Sequence, residues 1–346
     1  SNVYVAIMAG GIGSRFWPQS RTSKPKQFLD ILNTGRTLLQ LTYDRFVKIV
    51  PPENIYIVTH SDYETLVKEQ LPALTSDQIL KEPMRRNTAP CITYVCDKIY
   101  AKDKAATVIV SPSDHIILRE DVFIDVISKA IGFVNENEFL VTLGIKPIRP
   151  ATGYGYIQFV DEPSPDGFYK VKTFTEKPSE EIAKTFMKSG DFLWNSGMFV
   201  WKTKTILKAI KKHLIEVAEA FREGQHFYGT PNEDKFIRQA YSQCTNISID
   251  YAVMEKANNV YTIPAQFGWS DIGSWDSLYE EYKHDYLGNA VAGDNVKIYD
   301  ENNNIIPENE IIKTLEGIHK RQTIHYYNNL RCKPKMLELF LPSWFI

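Results

Sequence analysis

The chemistry-bearing residues of this chain open with a cluster of glycines and one arginine. Gly10-Gly11-Ile12-Gly13-Ser14-Arg15-Phe16-Trp17-Pro18 follows a short apolar run at residues 3–8. Glycines accept positive φ and let backbone approach a phosphate closely. Successive N–H groups in such a turn form an anion-binding concavity. Arg15 adds a permanent cation with planar donors that match phosphate oxygens. The dinucleotide pattern GxGxxG is not met, because Phe16 stands where its third glycine belongs. The Walker A pattern is not met either, since no Gly-Lys-Ser/Thr closes the loop. Downstream, Lys24-Pro25-Lys26-Gln27-Phe28-Leu29 places a second cation, Lys26, between residues of restricted freedom. The competing reading of Lys26 is a solvated surface charge.

Two isolated aspartates follow apolar or aromatic runs. Asp114 lies in Ser111-Pro112-Ser113-Asp114-His115, just after the apolar stretch 106–110. Asp271 lies in Gly268-Trp269-Ser270-Asp271-Ile272-Gly273. The Asp114 carboxylate, at the end of the 106–110 strand, suits Mg²⁺, which takes oxygen ligands and keeps several waters. A helix cap or turn residue is the competing reading for each. His115 is read as a packing or hydrogen-bonding residue.

Further polar residues are held in four segments. Glu82-Pro83-Met84-Arg85-Arg86-Asn87-Thr88-Ala89-Pro90 precedes a helical pattern. Capping accounts for Asn87 or Thr88 and for Pro90 in the first turn. It does not account for two arginines at the end of a strand. Gly155, in Thr152-Gly153-Tyr154-Gly155-Tyr156, permits close backbone approach. Glu176-Lys177-Pro178 pairs charges at a strand end, which by itself reads as a surface ion pair of little energetic value. Trp194-Asn195-Ser196-Gly197-Met198-Phe199 sets the Asn195 amide beside Gly197 in an apolar strand.

These residues need a scaffold. Residues 3–8, 54–59, 78–81, 106–110 and 139–143 read as strands. They alternate with helical patterns at 36–50, 61–70, 88–101 and 121–134. Alternation of this kind predicts an α/β fold, a parallel sheet covered on both faces. Ligands then bind beyond the carboxyl ends of the strands, where the Gly10, Glu82 and Asp114 segments fall. From about residue 151 the spacing changes. Longer, partly antiparallel strands are expected at 154–160, 168–175 and 193–201, and helices at 202–221, 233–241 and 249–256. The expected organisation is a catalytic domain over 1–287, with halves of about 1–150 and 151–287, then a tail over 288–346.

The chain has 346 residues, a formal charge of −2, 43% hydrophobic and 24% charged residues, an ordinary globular composition. Near-neutral charge argues against general nucleic-acid binding. No apolar run reaches the roughly 18 residues of a membrane span. The four cysteines, Cys91, Cys96, Cys244 and Cys332, form no CxxC pair and have no zinc-type histidine spacing, so free thiols in the cytoplasm are expected.

With these motifs in hand, the run from Gly10 to Leu29 resembles the signature of the sugar-phosphate nucleotidyltransferases, a GGxGxR loop, a proline and PKxL. Ser14 stands where many relatives carry Thr. The Glu82–Pro90 segment is similar to the EPxxRNTAP run of the mannose-1-phosphate guanylyltransferase branch. The resemblance covers residues 3 to about 300. It implies a Rossmann-like, mixed but mostly parallel sheet flanked by helices, with a small β-rich tail. It implies transfer of GMP from GTP to mannose 1-phosphate with Mg²⁺ as cofactor. Arg15 and Lys26 would act on the phosphates. Gly10, Gly11, Gly13, Glu82, Arg86, Asn87 and Thr88 would hold the nucleotide. Gly155, Glu176, Lys177, Asn195 and Gly197 would hold the sugar phosphate. Asp114 and Asp271 would bind the metal. In the family a short β-helical tail after Gly288-Asn289-Ala290-Val291 helps to pair subunits, so a homodimer is one implied state. The sequence departs from that tail after about Asn304, which leaves a truncated or atypical β-helix. Turnover of another sugar 1-phosphate or base, and a silent nucleotide-sugar-binding homologue, stay open. The missing third glycine counts against a nicotinamide-dependent dehydrogenase.

Overall fold

The computed structural model describes residues 2–12, 16, 19–32, 34–273 and 277–278. Gly13, Arg15, Cys332, the expected boundary near 287 and the tail over 288–346 lie outside the described residues. The chain divides into two compact units, one of Ser1–Gly11 with Thr37–Asp271, the other of Ile12–Arg36 with Ile272–Ile346.

The first unit carries eleven strands and eight α-helices among its described residues. The strands are β1 (Val3–Met8), β2 (Ile55–His60), β3 (Ile79–Glu82), β4 (Thr107–Pro112), β5 (Ile116–Ile117), β6 (Leu140–Ile145), β7 (Tyr156–Pro163), β8 (Tyr169–Thr175), β9 (Phe192–Lys202), β10 (Val260–Ala265) and β11 (Trp269–Ser270). The helices are α1 (Leu38–Val47), α2 (Glu64–Gln70), α3 (Thr88–Lys102), α4 (Glu120–Glu136), α5 (Glu180–Ser189), α6 (Thr203–His213), α7 (Ile215–Ala220) and α8 (Glu233–Gln243). Nine strands form one sheet in the order β3-β2-β1-β4-β9-β6-β10-β8-β7, and β5 pairs with β11 apart from it. β3, β2, β1 and β4 are parallel. β9 runs antiparallel between β4 and β6, and β10 runs parallel to β6. β8 runs antiparallel to both β10 and β7, so the sheet is mixed with seven of its nine strands running in one direction, in agreement with the α/β expectation. Strands from before and after residue 150 share it.

Strand alternation sorts the core. Tyr4, Ala6, Tyr56, Val58, Val108 and Val110 belong to a buried cluster with α3, α6, α7 and α8. The intervening Val5, Ile7, Ile57 and Ile109, all fully buried, point to the opposite face. There Phe46 of α1 and Phe123 of α4 meet edge to face at 5.8 Å. These strands are buried on both sides, which is why their sequences are almost continuously apolar.

Local sequence explains several boundaries. Thr37 and Gln40 make a reciprocal capping box that starts α1. Gly190, with φ 81°, closes α5. The helix expected over 202–221 is two helices, because the chain turns at Leu214, which has φ −143°. The helix expected at 249–256 is a five-residue π-helix, Asp250–Met254. α5, β10 and the short β5–β11 pair are elements the periodicity did not indicate.

In the second unit, Lys26–Phe28 form one 3₁₀ turn after Pro25. Asp30 stabilises the following loop by accepting from the N–H of Thr34 at 3.0 Å and of Gly35 at 2.7 Å. Lys26 is 4% exposed, and its Nζ stands 5.5 Å from the centroid of the Phe16 ring. Lys26 is thus not the solvated surface charge of the alternative reading.

Candidate active site

Parallel strands end at one edge of a sheet, and the loops leaving that edge enclose the site. In the first unit those loops line a cavity of about 220 Å³. Met8 and Pro112 come from the ends of β1 and β4, and Thr88 from the start of α3. Gly153, Tyr154 and Gly155 precede β7, and Glu176 follows β8. Asn195, Ser196, Gly197 and Phe199 lie on β9, Asp250 opens the π-helix, and His115, Trp269 and Asp271 complete the wall.

The glycines have specific work here. A side chain at Gly155 would put its Cβ 2.6 Å from Glu176 Oε1. Only glycine lets that carboxylate lie across the backbone. Gly197 has φ 68°, a left-handed conformation that glycine adopts without strain. A Cβ at Gly10 would stand 3.0 Å from Glu82 Oε2, so Gly10 makes room for a carboxylate from β3. Gly11 has open space around it. Non-glycine positive φ occurs at Asn87 (65°), Lys177 (40°) and Ile272 (41°) among the described residues. Two of these are motif residues and the third follows Asp271. Strained backbone of this kind persists where surrounding structure over-determines it, and it clusters at functional sites.

The nucleotide-side motif is tied to the cavity through backbone. Asn87 caps α3, its Oδ1 accepting from the Thr88 N–H at 2.9 Å. Thr88 uses its hydroxyl elsewhere, accepting from the Ile249 N–H at 2.9 Å. The Arg86 carbonyl accepts from the Ile247 N–H at 3.3 Å, and the Arg86 Nε donates to the Tyr241 carbonyl at 3.4 Å. Residues 86–89 and 247–249 are therefore tied together by hydrogen bonds. Glu82 is 8% exposed and accepts from the Tyr241 hydroxyl at 3.0 Å. Burial raises its pKa to about 7, against the lowering effects of that hydrogen bond and of Arg85. Gly10, Gly11, Glu82, Arg86, Asn87, Asp114 and Lys177 do not line the cavity, whereas Asp271 does.

A short ladder joins the segments that carry the two aspartates. In β5–β11, Trp269 pairs with Ile117 and Ser270 with Ile116. Continued by one residue, this register sets Asp271 opposite His115, the neighbour of Asp114. The Trp269 indole N–H donates to His115 Nδ1 at 3.1 Å. That fixes the neutral tautomer with hydrogen on Nε2, which lies 3.9 Å from Asp114 Oδ1. The Ser113 N–H donates to the Met8 carbonyl at 3.0 Å, and the Thr42 hydroxyl donates to the Ser113 carbonyl at 3.2 Å. The loop before Asp114 is held on both sides. Among the described residues no group of three or more His, Cys, Asp and Glu is placed to hold a metal. Two carboxylates without a protein cage suit Mg²⁺, which completes its shell with waters and substrate phosphates.

On the opposite wall, the Asn195 side chain donates through Nδ2 to Asp250 Oδ1 at 2.8 Å. Burial pushes the Asp250 pKa up to about 6; the Asn195 hydrogen bond opposes this and Glu176 adds to it. The sequence reading did not single out Asp250. Ser248-Ile249-Asp250 looks like a helix start, and only the topology shows that it faces Asn195, fifty-five positions earlier. The buried thiols Cys91, Cys96 and Cys244 are free.

A mixed α/β sheet with Gly10-Gly11 at the end of β1, and with Gly155 leaving room for the Glu176 carboxylate, fits the class of nucleotide-binding α/β scaffolds. Residues 4–286 match the Nucleotidyl transferase family model, and the chain belongs to that family. It is 36% identical over 321 residues to alginate biosynthesis protein AlgA of Pseudomonas aeruginosa, covering 90% of this chain and 65% of that protein. It is 35% identical over 325 residues to the mannose-1-phosphate guanylyltransferase of Escherichia coli K12, covering 91% and 67%. The chain thus spans about two thirds of the length of these curated relatives. A solved structure described as mannose-1-phosphate geranyltransferase, from Thermus thermophilus, superposes with a TM-score of 0.74 at 32% identity, covering 82% of this chain and 80% of that one.

Proposed function

We propose that this protein transfers GMP from GTP to α-D-mannose 1-phosphate, releasing GDP-mannose and pyrophosphate. The observation that carries the reading is the cavity itself. Gly155, Glu176 and Asn195 from the sugar-type motifs share it with Thr88 of the guanylyl-type motif and with Asp271. The similarity to proteins named mannose-1-phosphate guanylyltransferase points to the same substrates.

The nucleophile is a phosphate oxygen of the sugar phosphate, and it attacks the α-phosphorus in line. It is already an anion, so no residue has to remove a proton. The difficulty is electrostatic, since two anionic groups must meet. Positioning of bound reactants contributes roughly 7–11 kcal/mol in favourable cases. Arg15, Lys26 and Lys177 neutralise phosphate charge, and the glycine loop at Gly10, Gly11 and Gly13 offers backbone N–H groups. Asp114 and Asp271 would hold a Mg²⁺ ion, which would screen the phosphate charge when bound. Glu82, Arg86, Asn87 and Thr88 hold the nucleotide, while Gly155, Glu176, Asn195 and Gly197 hold the sugar.

The test is pyrophosphate release from GTP with mannose 1-phosphate, with and without Mg²⁺, against a panel of other nucleoside triphosphates and sugar 1-phosphates. Preference for GTP and mannose 1-phosphate with loss of turnover on chelation supports the reading. Equal use of other pairs, or turnover in a chelator, overturns the corresponding part.

A further inference from the structure

Tyr241 grips two charged residues of the Glu82–Pro90 motif from a distant part of the chain. It lies fully buried on α8. Its hydroxyl donates to Glu82 Oε1 at 3.0 Å. Its carbonyl accepts from Arg86 Nε at 3.4 Å and from the Cys244 N–H at 3.2 Å. The ring meets Phe221 edge to face at 5.8 Å and Tyr94 of α3 at 6.5 Å. Packing on those rings leaves the phenol little freedom, so its hydroxyl reaches Glu82 with a fixed aim.

A buried tyrosine needs a partner for its hydroxyl, and a backbone carbonyl would serve. The partner here is a carboxylate, which is costly to bury. Packing alone supplies no reason for that choice. Glu82 ends β3, at the edge of the sheet where ligands bind. Tyr241 commits Oε1, while Oε2 lies 3.0 Å from the place a Cβ on Gly10 would take. The bond thereby decides which oxygen belongs to the protein interior and which is turned toward the glycines that end β1.

The same bond bears on charge. A hydroxyl that donates to a carboxylate favours its ionised form. Arg85 acts on Glu82 in the same direction, and burial opposes both. The other titratable neighbours are His60, paired with Glu82 in the β2–β3 register, and the buried Cys91 thiol of α3, which Glu82 helps to keep protonated. An ionised carboxylate only accepts hydrogen bonds, whereas a protonated one also donates.

Resting on the assignment of Glu82 and Arg86 to the nucleotide, we infer that Tyr241 is a positioning residue for GTP. Its hydroxyl orients the Glu82 carboxylate as an acceptor, and its carbonyl holds the Arg86 guanidinium. It touches neither substrate, and its contribution leaves the sugar phosphate unaffected.

The experiment compares the parent enzyme with Tyr241→Phe, Glu82→Ala and the double variant. Each is assayed for the KM of GTP and of the sugar 1-phosphate, and for kcat/KM against pH. Tyr241→Phe keeps the ring and the backbone carbonyl and removes only the hydroxyl. It raises the GTP KM about tenfold, as loss of one hydrogen bond to a charged group does, and leaves the sugar-phosphate KM within about twofold. In the parent, kcat/KM for GTP falls as pH drops through about 7, where Glu82 takes up its proton. In Tyr241→Phe that acid limb moves to higher pH by about one unit. On the Glu82→Ala background, Tyr241→Phe adds no further loss in GTP KM, because nothing is left for the hydroxyl to orient. A parallel rise of both KM values, an unmoved acid limb, or losses that add in the double variant overturns the assignment. If Tyr241→Phe does not fold, 3-fluorotyrosine at position 241 gives the decision. Its more acidic hydroxyl donates more strongly and moves the acid limb to lower pH, and an unmoved limb overturns the assignment. A GTP KM that Glu82→Ala leaves unchanged overturns the underlying reading of Glu82 instead.

Discussion

Glu82→Gln should make the protein less sensitive to alkaline pH, and the size of the effect follows from burial. Glu82 lies at the end of β3, 8% exposed, against Gly10 and the Tyr241 hydroxyl. Burial raises its folded pKa from 4.5 to about 7. A carboxyl with a raised folded pKa binds its proton more tightly in the native state. It therefore costs nothing well below the unfolded value and destabilises increasingly as pH rises from 4.5 toward 7. By linkage, the native state loses about 2.5 kcal/mol from this group between roughly pH 5 and 8. Glutamine has nearly the same shape, keeps an acceptor for Tyr241 and does not ionise. Denaturant unfolding of parent and Glu82→Gln at both pH values isolates the effect as a difference of differences, with all other titrating groups cancelling. The stability advantage of the variant should grow by about 2–3 kcal/mol on going to the higher pH. Parallel pH curves for the two proteins would refute the claim that burial of Glu82 outweighs the lowering effects of Tyr241 and Arg85. A variant that loses stability relative to the parent as pH rises would reverse the sign of the argument.

Other changes give separate readouts. Asp114→Ala or Lys26→Ala should lower turnover at least about a hundredfold with the fold retained, as loss of one preorganised charge does; near-normal turnover removes that residue from the mechanism. Gly155→Ala forces the Glu176 carboxylate aside by placing a Cβ 2.6 Å from it. Its kcat/KM for sugar phosphate should fall by up to about a hundredfold with little change in melting temperature. Gly144→Ala meets Leu193 and, at 2.7 Å, the Thr262 hydroxyl inside the sheet. Overpacking there should cost about 1–3 kcal/mol in an unfolding titration, and an unchanged midpoint would show that β6 and β9 can separate.

The sequence by itself determined the class of fold. Val3–Met8, Ile55–His60 and Thr107–Pro112 are buried on both faces, so an apolar run is all their position requires, and it is visible locally. The Gly10, Glu82 and Asp114 segments were legible for a similar reason. Each ends a strand of one parallel sheet, and parallel strands bring their carboxyl ends to a common edge. Gly155 and Gly197 could be suspected from type alone, but the close approach at Gly155 comes from the Glu176 carboxylate, twenty-one residues later.

Tertiary structure decided what depends on distant partners. The two-residue strands β5 and β11 exist only because they pair across the sequence, and the register of that pairing, continued by one residue, sets Asp271 opposite His115. No period can be read from two residues. Antiparallel insertion of β9 between β4 and β6 sets Asn195 against Asp250. Asp250 itself carried a local signal for a helix start, and its raised pKa comes from burial that only packing creates. Residue type and spacing record what each short segment must satisfy on its own; the meeting of charges from separate segments is a property of the folded chain.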